Sequence, residues 1–359
     1  SFLPGMAADK PLEFYKQRVY TSVDGLPQNS MVTITQTPDG FIWIGTDAGL
    51  ACFDGVKFEV LNARNTPGLT DDIIGNLLMD HEGGLWIATR QGGVLYYKNG
   101  GIVESYSTAN GLSSNYIHSL ALAPGDILWI GTATGLNGLE NKKVFTVPFP
   151  GGGAPTWVRA LAVDAGGQLW IGTGSGLFRI DKPGGKYKIQ PAGYAGYDIL
   201  YLAVDAKNRL WIGTNGAGLI RREIGRGTPD TFFNAGNGLS NNLVGKLFAD
   251  PSGILWIGTR GGGLNYLEDD RVSVFTTNKG LSPNYVDAVF KDREGNLWVG
   301  TNGGGLNLFS DSDVIAYTTR NGLSSDQVYG IYQDRQGMIW VGTFGYGENC
   351  IKEYRVVRH

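Results

Sequence analysis

Trp298-Val299-Gly300-Thr301, followed by Asn302-Gly303-Gly304-Gly305-Leu306, is one copy of a pattern that runs along most of the chain. Related tetrapeptides begin at Trp43, Trp86, Trp129, Trp170, Trp211, Trp256 and Trp340. The intervals between these tryptophans are 43, 43, 41, 41, 45, 42 and 42 residues, so eight of the nine tryptophans share a register and only Trp157 does not. Working outward from Trp298, residues 286–290 form an apolar run of strand length. Asp292-Arg293-Glu294-Gly295-Asn296 has the chemistry of a turn. Residues 297–301 are rich in β-formers, and the glycines after them supply the positive φ of a hairpin. Residues 306–309 and 314–318 read as a third and a fourth strand. No ten-residue stretch of the unit carries a helical period.

Four antiparallel strands repeated eight times predict an all-β fold, a β-propeller of four-stranded blades. A β-helix coil is shorter and has no use for three hairpin turns. A lone blade has two apolar faces, and stacking buries both. The recurring Trp then packs between blades, and the Gly after it allows close approach. Composition agrees, with 56 Gly in 359 residues, 11% aromatic and only 18% charged. A hydrophobic share of 42% and a net charge of −3 exclude a disordered tail and give no electrostatic case for nucleic acid. No apolar run reaches the ~18 residues of a bilayer span.

Residues 1–11 read as a leader, a signal remnant or a chain end, because Ser1 to Ala8 is apolar and closes on small residues. Residues 12–359 read as a single propeller domain. Lys16-Gln17-Arg18-Val19-Tyr20-Thr21, followed by Asp24-Gly25-Leu26, matches the fourth-strand stretch at 271–276 followed by Lys279-Gly280-Leu281. The chain thus starts with an orphan fourth strand, which is expected to complete the last blade as a clasp and close eight blades. A seven-bladed ring with one unit left over is the alternative, and residues 354–359 could themselves be a last strand.

The units resemble the two-component regulator propeller repeat, whose pattern is Asp-Gly-Leu-x-x-Asn-x-Val, then Asp-x-x-Gly-x-Leu-Trp-Ile-Gly-Thr, then Gly-Gly-Leu. Asp24-Gly25-Leu26-Pro27-Gln28-Asn29 with Asp39-Gly40-Phe41-Ile42-Trp43, and Asn237-Gly238-Leu239-Ser240-Asn241-Asn242-Leu243-Val244, carry it here. The resemblance covers residues 14–354. It implies a periplasmic sensor propeller, joined in such proteins to a histidine kinase or a cyclic-dinucleotide synthase. Relatives often pair seven-bladed propellers, so eight units depart from the pattern. The turns at Gly151-Gly152-Gly153-Ala154-Pro155 and Gly193-Tyr194-Ala195-Gly196, and Gly347-Glu348 in the last unit, depart from it too.

The start of each first strand and the turn after each Trp-Ile-Gly-Thr are expected on one face of the disk, where binding residues collect. Thirteen residues before the motif Trp stand Tyr116, Trp157 and Tyr285 among others, with Tyr197 beside that row. Arg90, Asn215, Arg260 and Asn302 open the turns, and Arg159 follows Trp157 by two. These nine are the candidate ligand-binding residues, since aromatic faces with Asn and Arg donors suit sugar rings or a carboxylate. Trp157 is the most informative, because blade packing does not explain it. The competing reading is that each aromatic covers a loop edge.

Catalytic signals are weak. His81, His118 and His359 have no metal-ligand spacing, and His118 could face the channel, although a satisfied structural histidine is the preferred reading. Asp80, Asp164, Asp205, Asp250, Asp292 and Asp334 recur at one turn position, which argues for turn hydrogen bonds over acid–base pairs. No metal or cofactor is expected. Cys52 and Cys350 occupy equivalent third-strand places in the first and last units, and packed sheets put such places ~10 Å apart, beyond the ~7 Å reach of a disulfide, so free thiols are expected. The favoured function is a non-enzymatic extracytoplasmic sensor module that binds a small molecule or oligosaccharide. Its partners are then the adjacent domain of the receptor and, as a further option, a second copy. A polysaccharide lyase or hydrolase propeller and a protein-interaction scaffold are the alternatives.

Overall fold

The computed structural model describes residues 10–151, 156–311, 315–352 and 355–358. Most of the expected leader, residues 152–155 of the fourth unit's lead-in turn, Val314, Tyr354 and His359 lie outside them. Eight four-stranded antiparallel sheets are present, one for each repeat. Blade 1 comprises Met31–Gln36, Ile42–Thr46, Gly49–Phe53 and Phe58–Leu61 in that spatial order, and blades 2 to 6 follow the same order. The Trp-Ile-Gly-Thr strand is second from the inside, and in blades 1, 3, 4, 6 and 7 every residue of it is buried, as are all but Arg209 in blade 5.

The clasp differs from expectation. Lys16–Tyr20 pairs antiparallel with Leu306–Ser310, running from Lys16 opposite Ser310 to Tyr20 opposite Leu306, and so completes blade 7 instead of the last blade. The stretch at 315–318, read from sequence as the fourth strand of that unit, is not a strand. It passes toward the eighth sheet, where Tyr317 packs on Leu323, Val341 and Ile351. Met31, opening blade 1, lies against Gly300 of blade 7, and Arg293 of blade 7 donates to the carbonyls of Thr37 and Pro38. Seven of the eight blades therefore close as a ring.

Blade 8 stands outside that ring with its own four strands, Val328–Gln333, Ile339–Thr343, Gly347–Lys352 and Arg355–Arg358. Its first strand is exposed throughout, including Val328, Tyr329, Ile331 and Tyr332. In six of the seven ring blades, the first residue of the first strand fills a socket over the Gly of the preceding blade. Ile74 sits on Gly45, Val158 on Gly131, Ile199 on Gly172, Val244 on Gly213, Val286 on Gly258 and Met31 on Gly300. These six side chains are 0–1% exposed, whereas Val328 of blade 8 is 42% exposed. Gly342 has nothing nearer than 3.9 Å to a Cβ built on it, so its socket is empty.

The turn aspartates do more than shape turns. The indole N–H of Trp170, Trp211, Trp256, Trp298 and Trp340 donates to Asp164, Asp205, Asp250, Asp292 and Asp334, at 3.0, 2.8, 3.1, 2.7 and 3.0 Å. A buried indole N–H needs an acceptor, and this pairing ties the motif strand to the hairpin before it. Cys52 and Cys350 are free thiols. They do not face each other across the ring closure, because blade 7, not blade 8, abuts blade 1.

Candidate functional site

In blades 2, 3, 5, 6 and 7 the backbone N–H of the residue after the motif bonds the carbonyl thirteen before the Trp of the same blade. Arg90 does so to Ile73, Ala133 to Tyr116, Asn215 to Asp198, Arg260 to Leu243 and Asn302 to Tyr285, at 2.9–3.0 Å. The two rows named from sequence thus share one face of the disk. The Asn in the lead-in pattern has a structural task there. The side chains of Asn29, Asn115, Asn242 and Asn284 accept the amides of Ser22, Thr108, Ala235 and Thr277, which folds each lead-in loop.

A third row comes from an irregularity in the innermost strands. In blade 4 the register steps from Val158 opposite Thr173 to Ala160 opposite Gly172, which leaves Arg159 unpaired. The same step leaves His118 unpaired in blade 3, Leu200 in blade 5 and Asp287 in blade 7. A bulge re-aims its extra residue, and here the residue faces the central channel. A cavity of about 220 Å³ opens there, lined by Arg90, Tyr116, His118, Trp157, Arg159, Tyr201, Lys246 and Arg260 among others.

Six of the nine candidates, Arg90, Tyr116, Trp157, Arg159, Arg260 and Tyr285, gather at this mouth or on its rim. Trp157 is 50% exposed. It stacks on Tyr116 with centroids 6.5 Å apart and rings 18° from parallel, and it lies 5.2 Å from His118. The guanidinium carbons of Arg90, Arg159 and Arg260 lie 5.9, 5.5 and 5.9 Å from the rings of Tyr116, Trp157 and Tyr285. Arg159 donates to Asp198 at 3.1 Å, and Asn215 donates to the same carboxylate at 3.0 Å. Asn302 reaches Asp287 at 3.4 Å. Tyr197 stands apart, edge-on to Tyr194 at 5.9 Å within the core between blades 4 and 5.

His118 is not the satisfied histidine expected from sequence, since its Nε2 is buried without a hydrogen-bond partner among the described residues. Burial, then the charges of Arg159 and Arg90, push it down from 6.5 to about 4. The unfolded chain accepts a proton below pH 6.5 that the folded chain refuses until about pH 4. The stability held by neutral His118 is therefore complete above pH 6.5 and falls as pH drops through that window, by on the order of 2 kcal/mol after discounting partial exposure. His118→Phe is expected to flatten the fall in melting temperature between pH 6.5 and 4; parallel profiles for the two proteins would refute this.

Lys246 and Tyr201 were not named from sequence. Both belong to the row ten before the motif Trp, which holds Thr33, Asn76, Ser119 and Ala160 in other blades. A charged or bulky residue breaking a row of small ones was the available signal. Burial lowers Lys246 to about 8 against the opposing pull of Asp287, and burial raises Tyr201 to about 12. Burial also raises Asp287.

Five segments, residues 25–48, 193–216, 238–261, 280–303 and 322–345, match the two-component regulator propeller family. No curated protein matches the chain. Among solved structures, the chain is similar to the extracellular domain of a hybrid two-component system from B. thetaiotaomicron, at 23% identity and a TM-score of 0.79. The match covers 96% of this chain and 49% of that one, so this chain spans about half the length of that domain. It is also similar to virginiamycin B lyase from Staphylococcus aureus, solved with quinupristin, at 13% identity and a TM-score of 0.66, over 83% of this chain and 100% of the lyase. At these identities the likeness shows the propeller fold. Among the described residues, no helix is long and apolar enough to cross a membrane.

Proposed function

We propose, on the five segments that match the two-component regulator propeller family, that the chain is the ligand-sensing propeller of an extracytoplasmic receptor and binds a glycan at the channel mouth. The observation that carries this reading is Trp157, the one tryptophan outside the blade register, half exposed and stacked on Tyr116 beside Arg90 and Arg159. An exposed indole ringed by donors offers a flat face to a sugar ring and hydrogen bonds to its edge. Burial and the charges of Arg159 and Arg90 hold His118 at about 4, so it is a weak base near neutral pH. The periplasm is the compartment that this reading requires. The unfilled socket over Gly342 and the exposed first strand of blade 8 are where the adjacent domain would pack.

A panel of neutral and acidic oligosaccharides tested by thermal shift and calorimetry addresses the mouth. At least one member is expected to raise the melting temperature, and Trp157→Ala to weaken its binding about tenfold, the scale of one lost stacking contact. A panel without a binder removes the glycan reading. A second reading, self-association, draws on the same exposed strand of blade 8. Light scattering over a hundredfold range of concentration separates it, since a constant monomer mass would exclude it.

A further inference from the structure

We infer that the channel behind the aromatic rim is an oxyanion subsite, in which Arg90, Arg260 and Lys246 hold a carboxylate, sulfate or phosphate group of the ligand. The inference rests on the mouth being the binding site and names the chemistry that anchors the ligand there. Four cations, Arg90, Arg159, Arg260 and Lys246, line one cavity of about 220 Å³. Of these, Arg159 is matched to Asp198. The side chains of Arg90, Arg260 and Lys246 make no hydrogen bond or ion pair with any described residue; each lies near a tyrosine ring, Tyr116, Tyr285 and Tyr201 in turn. The Nε atoms of Arg159 and Arg260 and the Nε2 of His118 are buried without partners in the same place.

Unpaired cations are not assembled in a confined channel without cost, because each loses hydration that nothing in the protein replaces. Asp287 acts on Arg260 and Lys246, and with Asp198 it sets two carboxylates against the four cations, with Asp47 further out beside Asp287. The surplus is therefore positive, and the orphaned N–H groups are the donors that an oxyanion accepts. The volume fits one such group with a few waters, at ~30 Å³ of liquid per water, and leaves the ring that bears it at the mouth against Trp157. Arg90 and Arg260 come from the turns after the motifs of blades 2 and 6, and Lys246 from the first strand of blade 6. The subsite is thus built across the channel and needs the closed ring.

The test uses the chain in low-salt buffer, titrated calorimetrically with sodium sulfate, inorganic phosphate, glucuronate and glucose. Saturable binding of at least one of the three anions at one site per chain is expected, weakening as ionic strength rises. Sulfate or phosphate binding indicates an ester group, and glucuronate binding alone a carboxylate; either supports the subsite. Arg260→Gln and Lys246→Met should each weaken the anion at least tenfold, while Arg64→Gln, on an exposed loop, should not. In anion-free buffer both channel variants should melt at or above the parent temperature, a gain that a structural role for these side chains would not produce. Absence of anion binding, or binding that the channel variants leave unchanged, overturns the inference. A neutral oligosaccharide that binds through Trp157 while no anion binds overturns it and leaves the glycan-sensing reading intact. Anion binding lost in the channel variants, with no sugar bound at Trp157, supports the subsite and removes the glycan reading.

Discussion

Gly300→Val is expected to destabilise the protein by about 3 kcal/mol, the upper part of the range for overpacking a core, while Gly342→Val changes stability by less than about 0.5 kcal/mol. The two glycines occupy the same place in the repeat, the third residue of Trp-Val-Gly-Thr in blades 7 and 8. A Cβ at Gly300 would stand 2.4 Å from the Cβ of Met31 and 3.0 Å from that of Ala288, so the blade 7 to blade 1 interface must part. At Gly342 the nearest atom is the Gly330 carbonyl oxygen at 3.9 Å, and a β-branched residue suits a half-buried strand. Blade 2 carries Ala88 at this place. One methyl can therefore be accommodated where the neighbour yields, which is why valine is the more decisive substitution. Thermal and denaturant unfolding of both variants measures the difference. Equal losses would mean that the socket of blade 8 is filled, and the seven-blade closure would then be wrong.

Loss of the clasp is the second large effect. Deleting residues 16–20 from the chain is expected to cost about 5 kcal/mol or more, comparable with the whole stability of many domains. The strand contributes a five-residue ladder to Leu306–Ser310, at ~1 kcal/mol net for each hydrogen bond. It also buries Tyr20, which is 3% exposed and packs on Phe53, Phe58 and Trp298. Gln17 further ties the strand to the Gly280 carbonyl at 2.7 Å and to Asn307 at 3.1 Å. Tyr20→Ala should reproduce about 3 kcal/mol of the loss, the scale of an aromatic truncation. Hydrogen exchange should then show protection falling first in Leu306–Ser310 and Met31–Gln36, the strands on either side of the closure. A deletion variant that melts within a few degrees of the parent would show that the ring closes without the clasp.

Much of the fold was legible because the repeat is local information. One Trp-Ile-Gly-Thr copy specifies a strand, the turn before it and the hairpin after it, and eight copies specify eight sheets. The site was legible in part. Arg90 and Arg260 open turns after the motif, Tyr116, Trp157 and Tyr285 stand thirteen before the motif Trp, and Arg159 follows Trp157 by two, so the repeat register brings these candidates to one face. His118, Lys246 and Tyr201 were passed over or misjudged, because an innermost strand with a bulge turns residues into the channel that simple alternation would send elsewhere. Tyr197 stands one residue before that row, and it packs edge-on to Tyr194 of the Gly193 to Gly196 turn instead of facing the mouth.

By itself the sequence determined the blade, its four strands, the Trp between blades and the orphan strand at the start, since each depends on residues within about forty positions. Only the tertiary structure decided which blade the orphan strand completes. Two edges could accept it, and the choice rests on a contact between residues 31 and 300 that no local pattern encodes. Met31 fills the Gly300 socket, the ring closes at seven, and blade 8 is left with Gly342 uncovered. The same closure brings cations from several separate blades to one channel. Their proximity is a property of the ring and of no single repeat.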